Sequence, residues 1–198
     1  EGSKIVPNTS CFWVVDPLDG TTNFAAGIPY WGISIARFEN GVPESAFLDI
    51  PALNKRIVAI RGKGVWLNNK KIIKKTTSLI NNECVSLCSR SIKILQLQPN
   101  KVFPGKIRLL GVSSLNMTSV ALGQTIGAIE ATPKIWDLAA AWLILTELDC
   151  SIKWLDSDPH KIHAGQNLSA HNFPLLTTYS QETMNSLLPW AEVLMKNK

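Results

Sequence analysis

The chain has 198 residues, a formal net charge of +5, four cysteines and three histidines, enough length to bury a sizeable core as one domain or two closely packed lobes. No apolar run reaches the roughly eighteen residues of a membrane span, and no basic-then-apolar leader is visible, which argues against a membrane protein. The Lys70, Lys71, Lys74 and Lys75 cluster lacks interleaved aromatics and adjoins Asn68-Asn69, so it reads as a solvated hairpin face and not a nucleic-acid surface. The positive balance can still draw anionic substrates. Only Cys84 and Cys88 of the four cysteines are near neighbours, without a second Cys or His pair, so free thiols in a reducing, cytoplasmic setting are expected.

In chain order, Phe12 to Val15 reads as a buried strand and Trp31 to Phe38 as another, followed by a tight Asn40-Gly41 hairpin. Strands are expected near Glu44 to Asp49, Arg56 to Arg61 and Val65 to Leu67, separated by Pro51 to Asn54 and Gly62-Lys63-Gly64. This is the pattern of an antiparallel meander, not a parallel βαβ series. Glu83 to Ser89 could form a strand and Ser91 to Gln98 a helix ended by Pro99. Ser113 to Leu122 suits a helix capped by Ser113 or Ser114, and Gly127 to Ala131 a short strand. Leu138 to Leu148 is apolar on nearly every face, as a helix buried between layers would be. A last helix is expected over 181–196, capped by Ser180 and interrupted at Pro189. His160, His163 and His171 lack metal-ligand spacing and are read as loop residues. These elements alone support a mixed α/β class.

The segment from Trp13 to Phe24 carries the chemistry. Three apolar residues deliver the chain to Asp16, Pro17 fixes φ and removes a donor, and Gly20 supplies backbone freedom where bulk would obstruct a ligand. Asp16 and Asp19 can converge with the Leu18 carbonyl between them, a hard-oxygen set suited to Mg²⁺ held against a phosphate. A bare D-P-x-D is equally compatible with an Asp-Pro turn and an Asx cap.

Asp16-Pro17-Leu18-Asp19-Gly20-Thr21-Thr22-Asn23-Phe24 matches the D-P-[IL]-D-G-T-x-N-F signature of the inositol monophosphatase family, and Trp136-Asp137-Leu138-Ala139-Ala140-Ala141 resembles its W-D-x-A-[AG]-[AG] element. The resemblance implies the layered α/β sugar-phosphatase fold: an antiparallel meander sheet, a second smaller sheet, and helices between and around them. It divides the chain into a metal-binding lobe over 1–105 and a C-terminal lobe over 106–198. It implies a homodimer and a Mg²⁺-dependent phosphomonoester hydrolase acting on a small phosphorylated polyol or sugar. The best single substrate is myo-inositol 1-phosphate; histidinol phosphate and fructose 1,6-bisphosphate are alternatives. A non-catalytic binding module or an inactive fragment is the alternative of another class.

Residue by residue, the resemblance makes Asp16, Asp19, Asp137 and the Leu18 carbonyl metal ligands, with Leu18, Asp19 and Asp137 also at the substrate. Alone, Asp137 would be read as a helix cap. Gly20 and Thr21 would bind phosphate, and Thr21 would orient the nucleophilic water, so Thr21 and Asp16 are the catalytic candidates. Gly111 and Ser113 occupy the substrate loop, with Val112 in place of the usual hydroxyl residue. Glu130 aligns with a contact to substrate hydroxyls, although a Glu before Pro133 also reads as an exposed loop residue. Glu147-Leu148-Asp149-Cys150 departs from the family's E-A-G-G turn, which puts the local turn geometry in question. Glu1 resembles the second glutamate of a metal-binding pair. The chain opens without Met, where the family carries earlier helices and a hairpin. It is therefore expected to be shortened, weak in Mg²⁺ binding and turnover, and prone to associate through exposed strand edges.

Overall fold

The computed structural model describes residues 3–74 and 83–195. Six strands follow one another as an antiparallel meander: β1 (Cys11–Asp19), β2 (Gly32–Glu39), β3 (Val42–Ile50), β4 (Lys55–Ile60), β5 (Gly64–Leu67) and β6 (Lys70–Ile72). A short helix, α1 (Thr21–Ala25), lies between β1 and β2. The turn residues explain the reversals. Asn40 and Gly41 take φ of 51° and 81°, and Asn68 and Asn69 take 48° and 65°, the left-handed pairs that match the twist of a two-residue hairpin. The meander expected from the turn signals is thus present, with the first strand longer than expected because it runs through the aspartates to Asp19.

The second sheet is mixed, in the order β10-β11-β9-β7-β8. Its members are β7 (Cys84–Leu87), β8 (Lys106–Arg108), β9 (Gly127–Glu130), β10 (Ser151–Trp154) and β11 (Leu175–Thr178). Strands β8, β10 and β11 carry no sequence signal of their own, being three or four residues long. Strand β7 pairs in parallel with both β8 and β9, so residues on either side of position 105 share this sheet. The helix expected over 91–98 is a 3-10 turn, Ser89–Ile92, running into the single turn α2 (Lys93–Gln96).

Two helices fill the space between the sheets, α3 (Ser113–Ala121) and α4 (Ile135–Glu147). Strand β2 buries Gly32, Ser34, Ala36 and Phe38 and leaves Ile33 and Ile35 half-buried. The small residues face α4, whose Ala139, Ala140 and Ala141 are fully buried in the same core. Small side chains on both surfaces let helix and sheet approach closely, and this close packing puts the first turn of α4 beside the end of β1. On the far face of the second sheet, α5 (Gln181–Ala191) packs Met184, Leu187 and Trp190 against Val85, Leu87, Ile129 and Leu176. The Ser180 hydroxyl caps α5 by accepting from the Thr183 amide at 3.3 Å. Pro189 lies inside the helix, which gives way after Ala191 to a 3-10 turn; the expected end at Lys196 is outside the described residues. None of the four cysteines is joined to another in a disulfide among the described residues.

Where the sequence departs from the family turn after α4, Asp149 takes φ of 50°, a left-handed conformation that Asp tolerates better than most residues. Just before it, the Glu147 carboxylate accepts from the Gly62 and Gly64 amides, each at 2.9 Å, tying the end of α4 to the β4–β5 turn. Glu147→Ala should destabilise the fold by about 1–3 kcal/mol, the range for losing hydrogen bonds to a charged group. Glu147→Gln should recover part of it. Chemical denaturation of the three proteins measures this, and equal midpoints for all three would show that the clamp contributes nothing.

Candidate active site

The end of β1 is irregular in a way that aims two carboxylates. Asp16 pairs with Ser34 and Asp19 with Gly32, so Pro17 and Leu18 stand opposite the single residue Ile33. This is a β-bulge, and Pro17 sits where a missing N–H does no harm to the ladder. The Leu18 amide donates to Asp16 Oδ1 at 3.0 Å, so the Asx turn expected of D-P-x-D is present along with the carboxylate convergence. Gly20 then takes φ of 91° and ψ of 35°. A Cβ there would meet Val112 Cγ2 at 2.7 Å and Trp31 Cα at 3.3 Å, so glycine is required by conformation and by space together. Thr21 opens α1 and is exposed beside Asp19.

The third carboxylate comes from α4. Asp137 is the third residue of that helix, and its Oδ2 accepts from the Lys134 amide at 2.8 Å. It therefore serves as a cap and still presents an oxygen to Asp16 and Asp19. One carboxylate oxygen from each of the three residues lies within 4.8 Å of the others. Ser34, opposite Asp16, donates through Oγ to the Trp136 carbonyl at 3.2 Å and so pins the first turn of α4 to the sheet beside the cluster.

Helix α3 closes the site from the second half of the molecule. Its cap residue is Val112, and neither Ser113 nor Ser114 caps it through a side chain. Instead Asp19 Oδ2 accepts from the Ser114 amide at 2.8 Å, so a carboxylate from the first sheet satisfies an orphan donor of the helix. Asn23 Nδ2 donates to the carbonyls of Tyr30 and Leu110, both at 2.8 Å, joining the loop after α1 to the exposed Gly111 turn, whose φ is 75°. Glu130, at the end of β9, is 1% exposed and not a loop residue at the surface. Its Oε2 accepts from Ser113 Oγ and its Oε1 from Asn116 Nδ2, both at 2.8 Å.

Sequence reasoning did not single out Ser34, Asn23 or Asn116. Asn23 is inside the first signature, and Asn116 stands three residues after Ser113, a spacing that places both on one helix face. Glu1 lies outside the described residues. The three histidines stay apart from the carboxylates. His160 Nδ1 is 2.7 Å from Asp158, with its ring against Trp142, and His171 contacts Gln166.

None of the ion pairs among the described residues neutralises the cluster. Burial pushes the Asp19 carboxyl up to about 6, with hydrogen bonding from Ser114 opposing the shift and Asp16 adding to it. Burial and then Asp19 raise Asp137 well above the usual carboxylate range, against the opposing Lys134 amide. Burial likewise takes Glu130 to about 7, opposed by Asn116 and Ser113. The Asp16, Asp19 and Asp137 set, one carboxylate buried and two half-buried, is built of hard oxygens and fits a divalent cation such as Mg²⁺ or Mn²⁺.

Without a cation, the folded chain holds protons on Asp19 and Asp137 that the unfolded chain releases above about pH 4. The unfolded state then binds fewer protons, so stability falls as pH rises through about 6 and further as Asp137 ionises. Chelator-treated protein should melt at a lower temperature at about pH 8 than at about pH 5. Asp19→Asn should flatten that slope and raise the melting temperature at the higher pH. A melting temperature that climbs between these pH values would contradict the buried repulsion.

Comparison with known proteins agrees with this geometry. The model of the inositol monophosphatase family matches residues 1–185. Nus factor SuhB of Xylella fastidiosa is 35% identical over 160 residues, covering 76% of this chain and 58% of that protein. A protein of Thermotoga maritima named fructose-1,6-bisphosphatase/inositol-1-monophosphatase is 32% identical over 140 residues, covering 68% of this chain and 53% of the relative. The chain thus spans little more than half the length of these two relatives. A solved Thermotoga maritima IMPase superposes with a TM-score of 0.76 over 96% of this chain and 71% of that one, at 23% identity, and shows the shared fold. With the family's match running through both halves of the carboxylate site, the chain belongs to the inositol monophosphatase family.

Proposed function

We propose that the protein is a Mg²⁺-dependent phosphomonoester hydrolase acting on a small polyol or sugar monophosphate, with myo-inositol 1-phosphate the first candidate. The observation that carries this reading is the convergence of Asp16, Asp19 and Asp137 oxygens within 4.8 Å. Three carboxylates so close repel one another, and a divalent cation is the partner that makes their ionised forms compatible. Asp16, Asp19, Asp137 and the Leu18 carbonyl are the residues that would hold it. Bound Mg²⁺ supplies a water of lowered pKa and neutralises charge on the phosphoryl oxygens.

The chain's own residues supply alignment. Thr21, exposed next to Asp19, offers a hydroxyl to orient the attacking water, and the amides of Gly20 and Thr21 face the phosphate. Gly111, Ser113 and Glu130 line the side where the leaving alcohol sits. The Thermotoga relative's name combines inositol-1-monophosphatase with fructose-1,6-bisphosphatase, so a sugar bisphosphate is the next substrate to test, with histidinol phosphate after it. The Xylella relative is named a Nus factor, and that name favours a second reading in which the fold also serves as a binding module. A cluster of three close carboxylates, one buried and two half-buried, is a burden for a module that only binds, so the catalytic reading is the stronger.

Phosphate release from myo-inositol 1-phosphate, with and without Mg²⁺, tests the proposal in the natural protein that carries this sequence. Asp16→Asn, Asp19→Asn and Asp137→Asn should each lower turnover by about a hundredfold or more while circular dichroism stays unchanged. Near-normal turnover in all three would sink the metal assignment. Thr21→Ala should lower kcat more than it raises KM, because a water-orienting hydroxyl acts chiefly in the transition state, and Thr21→Ser should restore part of the rate. A change in KM alone would make Thr21 a substrate contact only.

A further inference from the structure

Glu130 is held by two side chains of α3, Ser113 and Asn116. Asn116 is fully buried on α3, donates to Glu130 Oε1, and leaves its own Oδ1 without a hydrogen-bond partner among the described residues. Ser113, one turn earlier and half-buried, donates to Oε2 from the side of the carboxylate cluster. Next to the glutamate, the Cys88 sulfur accepts from the Ala131 amide at 3.3 Å and lies 3.0 Å from the Ser91 hydroxyl. No cation forms an ion pair with Glu130 among the described residues.

As a device for stability this arrangement is poor. A buried carboxyl held by neutral donors, with an unpaired amide oxygen behind it, is less favourable than apolar side chains of the same volume. It does accomplish one thing: each carboxyl oxygen is fixed by its own donor from the same helix face, so the group cannot turn about its last side-chain torsion. A carboxylate held in one orientation, with the Ser113 hydroxyl at its outer end, can tell one arrangement of alcohol hydroxyls from another. A freely turning one cannot.

We infer that Asn116 is a positioning residue that sets the preference for polyol phosphates by fixing Glu130 from behind, while the Ser113–Glu130 pair meets the hydroxyls of the leaving alcohol. This rests on the phosphatase reading above. Asn116 touches neither the phosphate nor the carboxylate cluster in this arrangement, and its effect passes through Glu130.

The test compares kcat/KM for myo-inositol 1-phosphate with kcat/KM for p-nitrophenyl phosphate, an ester whose leaving group has no neighbouring hydroxyls, in the natural protein with Mg²⁺. Asn116→Leu should lower the ratio of the two about tenfold, mainly through KM for the polyol ester, the effect of one buried hydrogen bond to a charged group. Glu130→Gln should lower it as well, and the double variant should be no worse than the poorer single one, since both act on one contact. Asn116→Ala, which removes the donor and adds no ionisable group or bulk, should reproduce the loss even if Asn116→Leu fails to fold. An unchanged ratio, an equal loss on both esters, or additive losses in the double variant would overturn the assignment while leaving the phosphatase reading intact. If the wild type hydrolyses neither ester, the phosphatase reading falls and this inference falls with it.

Discussion

The structure depends on mutual repulsion held in place by packing. Asp16 and Asp19 leave the first sheet at a bulge, Asp137 arrives on the first turn of α4, and one oxygen of each lies within 4.8 Å of the others. Nothing about the ionised forms of these groups draws them together without a cation, and burial first and the neighbouring carboxylates second raise Asp19 and Asp137. What brings them together is elsewhere: the small residues of β2 against Ala139 to Ala141, the Ser34 bond to Trp136, and the Asp19 bond to the amide of Ser114. Each contact is ordinary. Together they oppose the electrostatics of the site, and an unfavourable arrangement maintained by the rest of a fold is what a preorganised binding site requires.

The Asp19–Ser114 bond has a second consequence. It joins the first sheet to the first turn of α3, which also carries Ser113 and, one turn on, Asn116. The carboxylate cluster and the Glu130 pocket are therefore two ends of one helix turn. Asn23 repeats the connection from the other side, tying α1 to the carbonyl before Gly111. The carboxylate cluster and Glu130 are held by the same helix, so their separation is set by covalent spacing along α3 and not by independent loops.

Much of this was legible in the sequence, unevenly and for physical reasons. The meander was readable because its turns use Asn-Gly, Asn-Asn and glycine pairs whose backbone preferences are local. The two signatures carried the carboxylates because a bulge with Pro17 and a forced Gly20 leave little freedom in residue choice. The short strands β8, β10 and β11 were illegible, since three or four residues that pair only with distant partners have no periodicity to show. Which face of β2 is buried was also misleading to the eye. Its isoleucines suggest one face, yet the buried side is Gly32, Ser34, Ala36 and Phe38, because helix proximity rewards small side chains there. Glu130 was ambiguous because neither its neighbours nor Pro133 reveal that α3 covers it.

The polar interior of α3 follows from the same logic. Ser114, Asn116, Thr118 and Ser119 are nearly or wholly buried, and the helix has almost no apolar stripe of its own. A helix whose only task was to fill the layer between two sheets would be built like α4, whose buried face is leucine, isoleucine, tryptophan and alanine. Residues that break the local rule without a visible gain in stability concentrate at sites under a functional constraint. Of these four, Asn116 donates from its side chain to Glu130, and Ser114 meets Asp19 through its backbone amide, which any residue but proline would supply. The Asn116 contact depends on its side chain, so the physical argument for a functional role falls on Asn116 and not on the helix as a whole.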